Sequence, residues 1–284
     1  MTTVSIIGAG DVGGACAHAL ARHDIVSRVL LVDGTARVAA GKALDIQQSA
    51  PVDGFHTRVE GTDDPTRIAG SAVCIAADRF GSPSSDWNGE DALAHFSRLR
   101  TYVGGAPLVC AGATQADLPL SLTREGGFRR ERVIASASEA FSAAIRSIVA
   151  IEARCSPADV MLTVLGAPPR FVVPWSEASI GGYALERVLT PPQVARIDAR
   201  AAKLWPPGSH TLGAAATRIV EAIISSSRRT MTVLTVLSGE FGIRDRVGAL
   251  PVLLAPNGIA EVRVPTLNTR ERILVETALD FRGP

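Results

Sequence analysis

In the first half of the chain, short apolar blocks alternate with stretches whose apolar positions recur at helical spacing. Residues 4–7, 29–32, 72–76, 108–111 and 133–135 read as buried strands, and residues 12–22 as a helix between the first two. Buried strands separated by helices predict βαβ crossovers and a parallel sheet covered on both faces. The second half has a different rhythm. Ile145, Ile148 and Val149 have helical spacing, residues 160–165 read as a strand, and Pro191 opens a helix running to about Lys203. Residues 214–224 predict a further helix, and 230–237 and 251–254 two strands. Asn257-Gly258 marks a tight turn before a strand at 261–264. A last helix over 268–278 precedes a Gly283-Pro284 tail. The pattern predicts an α/β fold: a doubly wound parallel sheet over residues 1–140 and an α+β domain over 141–284, packed together without a linker.

Composition narrows the classes. The 284 residues are 46% hydrophobic and 20% charged, enough apolar surface for a core and too little net charge for disorder. The balance of 29 basic and 28 acidic residues argues against a nucleic-acid partner, which needs a basic excess to neutralise phosphates. Arginine outnumbers lysine 27 to 2, which reads as coding bias. Cys16, Cys74, Cys110 and Cys155 are scattered, with no CxxC pair and no histidine at metal spacing, so neither a disulfide framework nor a metal site is expected. No uncharged apolar run approaches the length of a membrane span, and the N-terminal residues enter a strand without a signal-peptide pattern. A cytoplasmic protein with no membrane partner is the expectation.

The strongest motif is Gly8-Ala9-Gly10-Asp11-Val12-Gly13, placed between a strand and a helix. Asp33 follows 20 residues after Gly13, at the end of the second predicted strand. This is the dinucleotide fingerprint of a Rossmann fold. Gly8 makes the tight turn, Gly10 admits the pyrophosphate and Gly13 lets helix and strand pack closely; the helix N-terminus offers free N–H groups to phosphate. Asp33 would accept hydrogen bonds from the adenosine ribose and repel a 2′-phosphate, which selects NAD over NADP.

Beyond the motif, the chain resembles the lactate/malate dehydrogenase family over nearly its whole length. Gly41-Lys42-Ala43-Leu44-Asp45-Ile46 resembles a family helix that often lies at a subunit interface, which implies a homo-oligomer, dimer or tetramer. Gly61-Thr62-Asp63-Asp64, Ile68-Ala69-Gly70-Ser71, Ile219-Val220-Glu221-Ala222-Ile223, Gly239-Glu240-Phe241-Gly242-Ile243, Pro251-Val252 and Pro256-Asn257-Gly258 follow in the family's order. The resemblance implies an N-terminal NAD-binding domain, a C-terminal substrate domain and a small-molecule substrate. Motif and resemblance together put the cofactor along Gly8, Ala9, Gly10, Asp11, Val12, Gly13, Asp33, Gly34, Ala76, Ala77 and Thr114.

The resemblance also implies a histidine acid/base held by an aspartate, arginines for a substrate carboxylate and an asparagine near the nicotinamide. Other residues stand at those places. Pro168 replaces the histidine, Phe141 and Ala144 the aspartate and substrate arginine, and Thr114 the asparagine. The family's mobile loop, at residues 78–87 and aligned on Pro83, has Gly81 and Trp87 where arginines are expected. Arg170, His210 and Glu139 are the candidates for a rebuilt catalytic set, against a plainer reading with Arg170 on the surface and His210 in a loop. Phe141, Trp87 and Trp175 suggest a more apolar pocket than a dicarboxylate needs. Two functions stay open: an NAD-dependent oxidoreductase on a small substrate, and a non-catalytic dinucleotide-binding or scaffold protein.

Overall fold

The structure, a computed structural model, describes residues 2–280; the predicted Gly283-Pro284 tail lies outside them. The chain opens with β1 (Thr3–Ile7), α1 (Asp11–His23), β2 (Arg28–Val32), α2 (Ala36–Asp53) and β3 (Arg58–Thr62), then returns to the far side of β1 as β4 (Val73–Ala76). A small hairpin of β5 (Asp78–Arg79) and β6 (Ser82–Asp86) leads into α3 (Gly89–Val103), β7 (Leu108–Cys110), α4 (Leu118–Arg124) and β8 (Val133–Ala135). The second half begins with the long helix α5 (Ala137–Ala153), followed by β9 (Val160–Met161), β10 (Leu165–Ala167) and β11 (Arg170–Val172). It continues through β12 (Ser179–Ile180), β13 (Tyr183–Ala184), α6 (Leu185–Val188), α7 (Pro191–Ala201) and α8 (Ser209–Ile224). The described chain ends with β14 (Thr230–Ser238), β15 (Arg244–Ala255), β16 (Gly258–Val262) and α9 (Thr269–Asp280).

One main sheet runs in the order β11-β10-β15-β14-β8-β7-β4-β1-β2-β3, with β16 added on β15. From β8 to β3 every pairing is parallel, and from β14 outward every pairing is antiparallel. The predicted parallel sheet is therefore present in the first half. β1 sits between β2 and β4, where the winding reverses; in sheets of this kind the loops beyond the strand ends part there to make the ligand crevice. The main apolar core follows the sheet through both halves, from Val4, Ile6, Leu30 and Ile75 to Ile219, Val233 and Val252. A second core, around Phe141, Ile145, Leu185 and Ile197, joins α5 to α6 and α7.

Helix α1 forms where its sequence favours it. Val12, Cys16, Ala17, Leu20 and Ala21 make one buried stripe, Asp11 lies in the first turn, and Arg22 and His23 complement the dipole in the last. Its outer side packs on α8 so closely that Gly213 has no room for a side chain: a Cβ there would lie 2.7 Å from the Ala15 Cβ.

Several expected elements differ in extent. The strand predicted over 160–165 is two strands in two sheets, because β9 pairs with β12 whereas β10 joins β15 and β11. The strand predicted at 251–254 begins at Arg244, since β14 pairs with it down to that residue; the polar start Arg244-Asp245-Arg246 hid it. The last strand lies at Gly258–Val262 rather than 261–264, because the hairpin closes with Ala255 opposite Gly258. Helix α8 starts at Ser209, earlier than its apolar stripe. Residues 78–86, within the segment expected as a loop, form a paired hairpin.

The α1–α8 contact yields a test. Gly213→Val drives methyl groups into the backbone of Ala15 and Cys16 and should cost about 2–3 kcal/mol. The expected reading is a lower urea midpoint with an unchanged slope.

Candidate functional site

The glycine turn is built by backbone proximity. Gly8 donates its N–H to the Val32 carbonyl at 2.8 Å and adopts φ +107°, and a Cβ there would fall 2.0 Å from the Asp78 carbonyl oxygen. At Gly13 a Cβ would fall 1.9 Å from the Gly8 carbonyl oxygen, which is the helix–strand packing role expected of it. Gly10 precedes the first residue of α1, and its carbonyl accepts from the Gly14 N–H at 2.9 Å. Asp33 is buried at the end of β2; its carboxylate accepts from the Ala9 N–H at 3.0 Å and the Thr35 N–H at 3.4 Å. It braces the turn that it was expected to serve.

Asp78 is the residue that sequence reasoning missed. It stands two residues beyond the end of β4, as the first residue of β5, and it is 1% exposed. Its carboxylate accepts from the Val12 N–H at 3.1 Å and from the Gly13 N–H at 2.7 Å. These are free N–H groups of the first turn of α1, the donors that a fingerprint helix offers to phosphate. Burial pushes the Asp78 carboxyl up to about 6, against the two N–H bonds that favour its charge, and Asp86 and Asp11 add to the rise.

The rest of the hairpin lies along the same crevice. Phe80 leans on Gly34, where a Cβ would meet its ring at 3.1 Å, and packs edge-on to Trp87 and His95 with centroids 5.2 and 5.0 Å apart. Trp87 stacks on His95 at 4.1 Å, and burial pushes that imidazole down to about 4. The Ser84 hydroxyl donates to Asp11 at 2.9 Å. Asp86 accepts from the N–H and hydroxyl of Thr114 at 3.0 and 2.9 Å, and its carboxyl covers Gly112. Ala76 and Ala77 are fully buried beneath, with the Ala77 carbonyl accepting from Gln115. The expected cofactor residues are thus gathered on one crevice. The glycine turn and Asp33 suit a dinucleotide, but in this conformation its phosphate seat does not, because Asp78 fills it.

Pro168 and Thr114 line one cavity of about 720 Å³, together with Pro169, Trp205, Pro206 and Arg246. Among the described residues no histidine lines it. Its guanidinium, Arg246, is held by Asp280 at 3.1 Å and by the Asp280 carbonyl at 2.6 Å. Beside it, Phe141, Phe171 and Trp205 form an aromatic cluster, with centroids 4.7 Å apart for Phe141–Phe171 and 4.9 Å for Phe171–Trp205. Trp175 faces a different cavity and donates its indole N–H to Asp198 at 3.0 Å.

The three candidate catalytic residues do not share a cavity. Glu139 lines one of about 290 Å³ with Ser142, Arg146 and Thr232, and neither Arg170 nor His210 borders it. Arg170 is exposed on β11 and His210 is exposed in the first turn of α8. Glu139 accepts from Arg146 at 2.9 Å and from the Thr232 N–H at 3.2 Å; burial raises its pKa and Arg146 opposes the rise. Among the described residues no cluster of His, Cys, Asp and Glu has the shape of a metal site, and no helix is long and apolar enough to cross a membrane.

With this geometry in place, the relatives are informative. Residues 2–80 match the family model of the lactate/malate dehydrogenase NAD binding domain. A malate dehydrogenase of Cytophaga hutchinsonii is 30% identical, covering 97% of this chain and 94% of its own length. The chain belongs to the lactate/malate dehydrogenase family. The malate dehydrogenase structure from Salinibacter ruber superposes with a TM-score of 0.86 at 26% identity, covering 98% of this chain and 94% of that one. The lactate dehydrogenase of Cryptosporidium parvum, solved with lactic acid and NAD, has a TM-score of 0.88 at 22% identity over 98% and 95% of the two chains, which speaks for the fold. Family, fold class and the NAD character of the first domain all agree with the sequence reading.

The part-buried ion pair in α5 gives a measurable consequence. Arg146→Met leaves Glu139 ionised and poorly compensated, a cost on the order of 2 kcal/mol at pH 8. Glu139 has a raised folded pKa, so the cost should shrink as pH falls and the carboxyl takes a proton. Chemical denaturation at pH 8 and 5 checks the sign, and adding Glu139→Gln should recover most of the loss at pH 8.

Proposed function

We propose that this protein binds NAD(H) in preference to NADP(H) and does not interconvert 2-hydroxy and 2-oxo acids by the route its family uses. The first half of the proposal rests on the glycine turn of residues 8–13 braced by Asp33. The second rests on the cavity beside Pro168. A 2-hydroxy-acid dehydrogenase must take the hydroxyl proton as hydride leaves the carbon, and losing such an acid/base costs about 10²–10⁴ in rate. Proline carries no such group. Phe141 cannot orient an imidazole, Ala144 offers no charge to a carboxylate, and Gly81 offers none from the loop. The Phe141–Phe171–Trp205 cluster disfavours a dicarboxylate there.

Residues 1–140 carry the nucleotide in this reading and 141–284 form the substrate-side domain, with the 720 Å³ cavity lined from both. A second reading, an oxidoreductase acting on a small and less polar substrate, is favoured by the size of the 720 Å³ cavity and by its lining of Pro168, Pro169, Trp205 and Pro206. A non-catalytic dinucleotide-binding protein is the other form of the proposal. The exposed apolar residues Val38, Leu44 and Val52 on α2 support a homo-oligomer, dimer or tetramer, and the expected location is the cytoplasm.

Titration with NAD and NADP by calorimetry tests the cofactor preference. NAD should bind more tightly, and Asp33→Ala should weaken it and narrow the gap. Equal or tighter NADP binding contradicts the role given to Asp33. Following NADH absorbance over a panel of 2-oxo and 2-hydroxy acids tests the chemistry. Turnover of about 1 s⁻¹ or faster, the ordinary enzyme range, would show that a replacement site exists. His210→Ala and Arg170→Ala are then the variants that would locate it. Light scattering at micromolar concentration should give a mass above that of the monomer.

A further inference from the structure

We propose that residues 78–86 are a built-in plug for the dinucleotide crevice, with the Asp78 carboxylate standing in the seat of the cofactor's diphosphate, so that NAD binds only as this hairpin is displaced. The proposal rests on the NAD(H)-binding reading above and concerns how that site is regulated.

The competition follows from the donors. The N–H groups of Val12 and Gly13 are both spent on Asp78, at 3.1 and 2.7 Å, and cannot at the same time serve a phosphate oxygen. The rest of the hairpin covers the neighbouring positions. Phe80 rests on Gly34, beside Asp33 where the adenosine ribose is expected, and Asp86 rests on Gly112 and Thr114, on the nicotinamide side. A single short hairpin therefore meets three parts of the expected cofactor path.

The closed arrangement also carries costs that a cofactor could relieve. Asp11, Asp78 and Asp86 bring three carboxylates to one helix end, and each of the other two disfavours the charge of Asp78. The indole Nε1 of Trp87 and the Nε2 of His95, buried behind Phe80, have no hydrogen-bond partner. The hairpin itself is short, with Asp78 paired to Asp86 and Arg79 to Ser82. Its outer tie is a surface ion pair between Arg79 and Asp91, both half-exposed or more and of small worth.

Protonation should loosen the plug. The ionisable groups around Asp78 are Asp11 and Cys16 of α1 and Asp86 of β6; Lys42 of α2 leans over the neighbouring Gly14, and Asp33 lies across Ala9. Asp78 titrates at about 6, so below that pH a neutral carboxyl competes poorly with phosphate for the two N–H groups. NAD affinity should therefore rise as pH falls from 8 to 5.5.

The test is calorimetric titration of the full chain with NAD at pH 8 and 5.5, for wild type, Asp78→Ala and Asp78→Asn, with circular dichroism to check that each variant is folded. Asp78→Ala should bind at least tenfold more tightly than wild type at pH 8. Asp78→Asn keeps the shape but loses the charge, and should bind more tightly with little pH dependence. Wild type alone should gain severalfold between pH 8 and 5.5, an arm that needs no variant to fold. Wild-type binding that is pH-independent and no weaker than that of folded Asp78→Ala or Asp78→Asn overturns the plug while leaving the NAD(H) reading intact. Absence of NAD binding by every form at both pH values overturns the reading and the plug with it.

Discussion

The first turn of α1 has N–H groups without a partner in the helix, and an acceptor from outside it must meet them, an anion best of all. In a dinucleotide-binding fold that partner is a phosphate. Here it is Asp78, supplied by the chain from the end of the neighbouring strand β4. Much of the local architecture depends on this contact. Gly8 and Gly13 lack side chains because the Asp78 backbone and the turn itself occupy their space. The hairpin that follows is anchored at one end by the Asp78 carboxylate and at the other by Asp86 on Thr114. Asp33 braces the same turn from the opposite side through Ala9.

A second constraint governs the substrate side. Where acid/base and carboxylate-binding groups are expected, this chain has built apolar packing. Phe141, Phe171 and Trp205 come from α5, β11 and the segment before α8, and their rings meet in one cluster. Such packing favours burial of apolar surface and penalises a charged substrate in the same volume. The polar residues of the region are occupied structurally instead. Glu139 is bound to Arg146 and to the backbone of β14, and Arg246 to the end of α9. The cavity next to Pro168 is lined by Thr114, Pro169, Trp205, Pro206 and Arg246.

The scaffold was legible in the sequence because it depends on local pattern. Apolar blocks of strand length and helical stripes marked β1, β2, β4, β7, β8, α1 and α8, and the glycine spacing marked the turn between β1 and α1. Errors came where polar residues sit inside regular structure. Arg244-Asp245-Arg246 hid the start of β15, and residues 162–164 concealed a switch between two sheets. Long-range pairing decides such positions, and single-sequence periodicity carries no record of it.

The sequence alone determined the family, the parallel sheet and the seat of the glycine turn, and its resemblance to the family put proline, phenylalanine and alanine where that resemblance implies ionisable groups. Those conclusions need only residue identity and spacing. What occupies the crevice was decided by the tertiary structure. Asp78 is 65 residues from Gly13, and Asp86 is 28 residues from Thr114. The scattered candidates Arg170, His210 and Glu139 likewise could be placed only once the chain was folded. A carboxylate acts through distance and burial, and both are properties of the packed chain rather than of its order of residues.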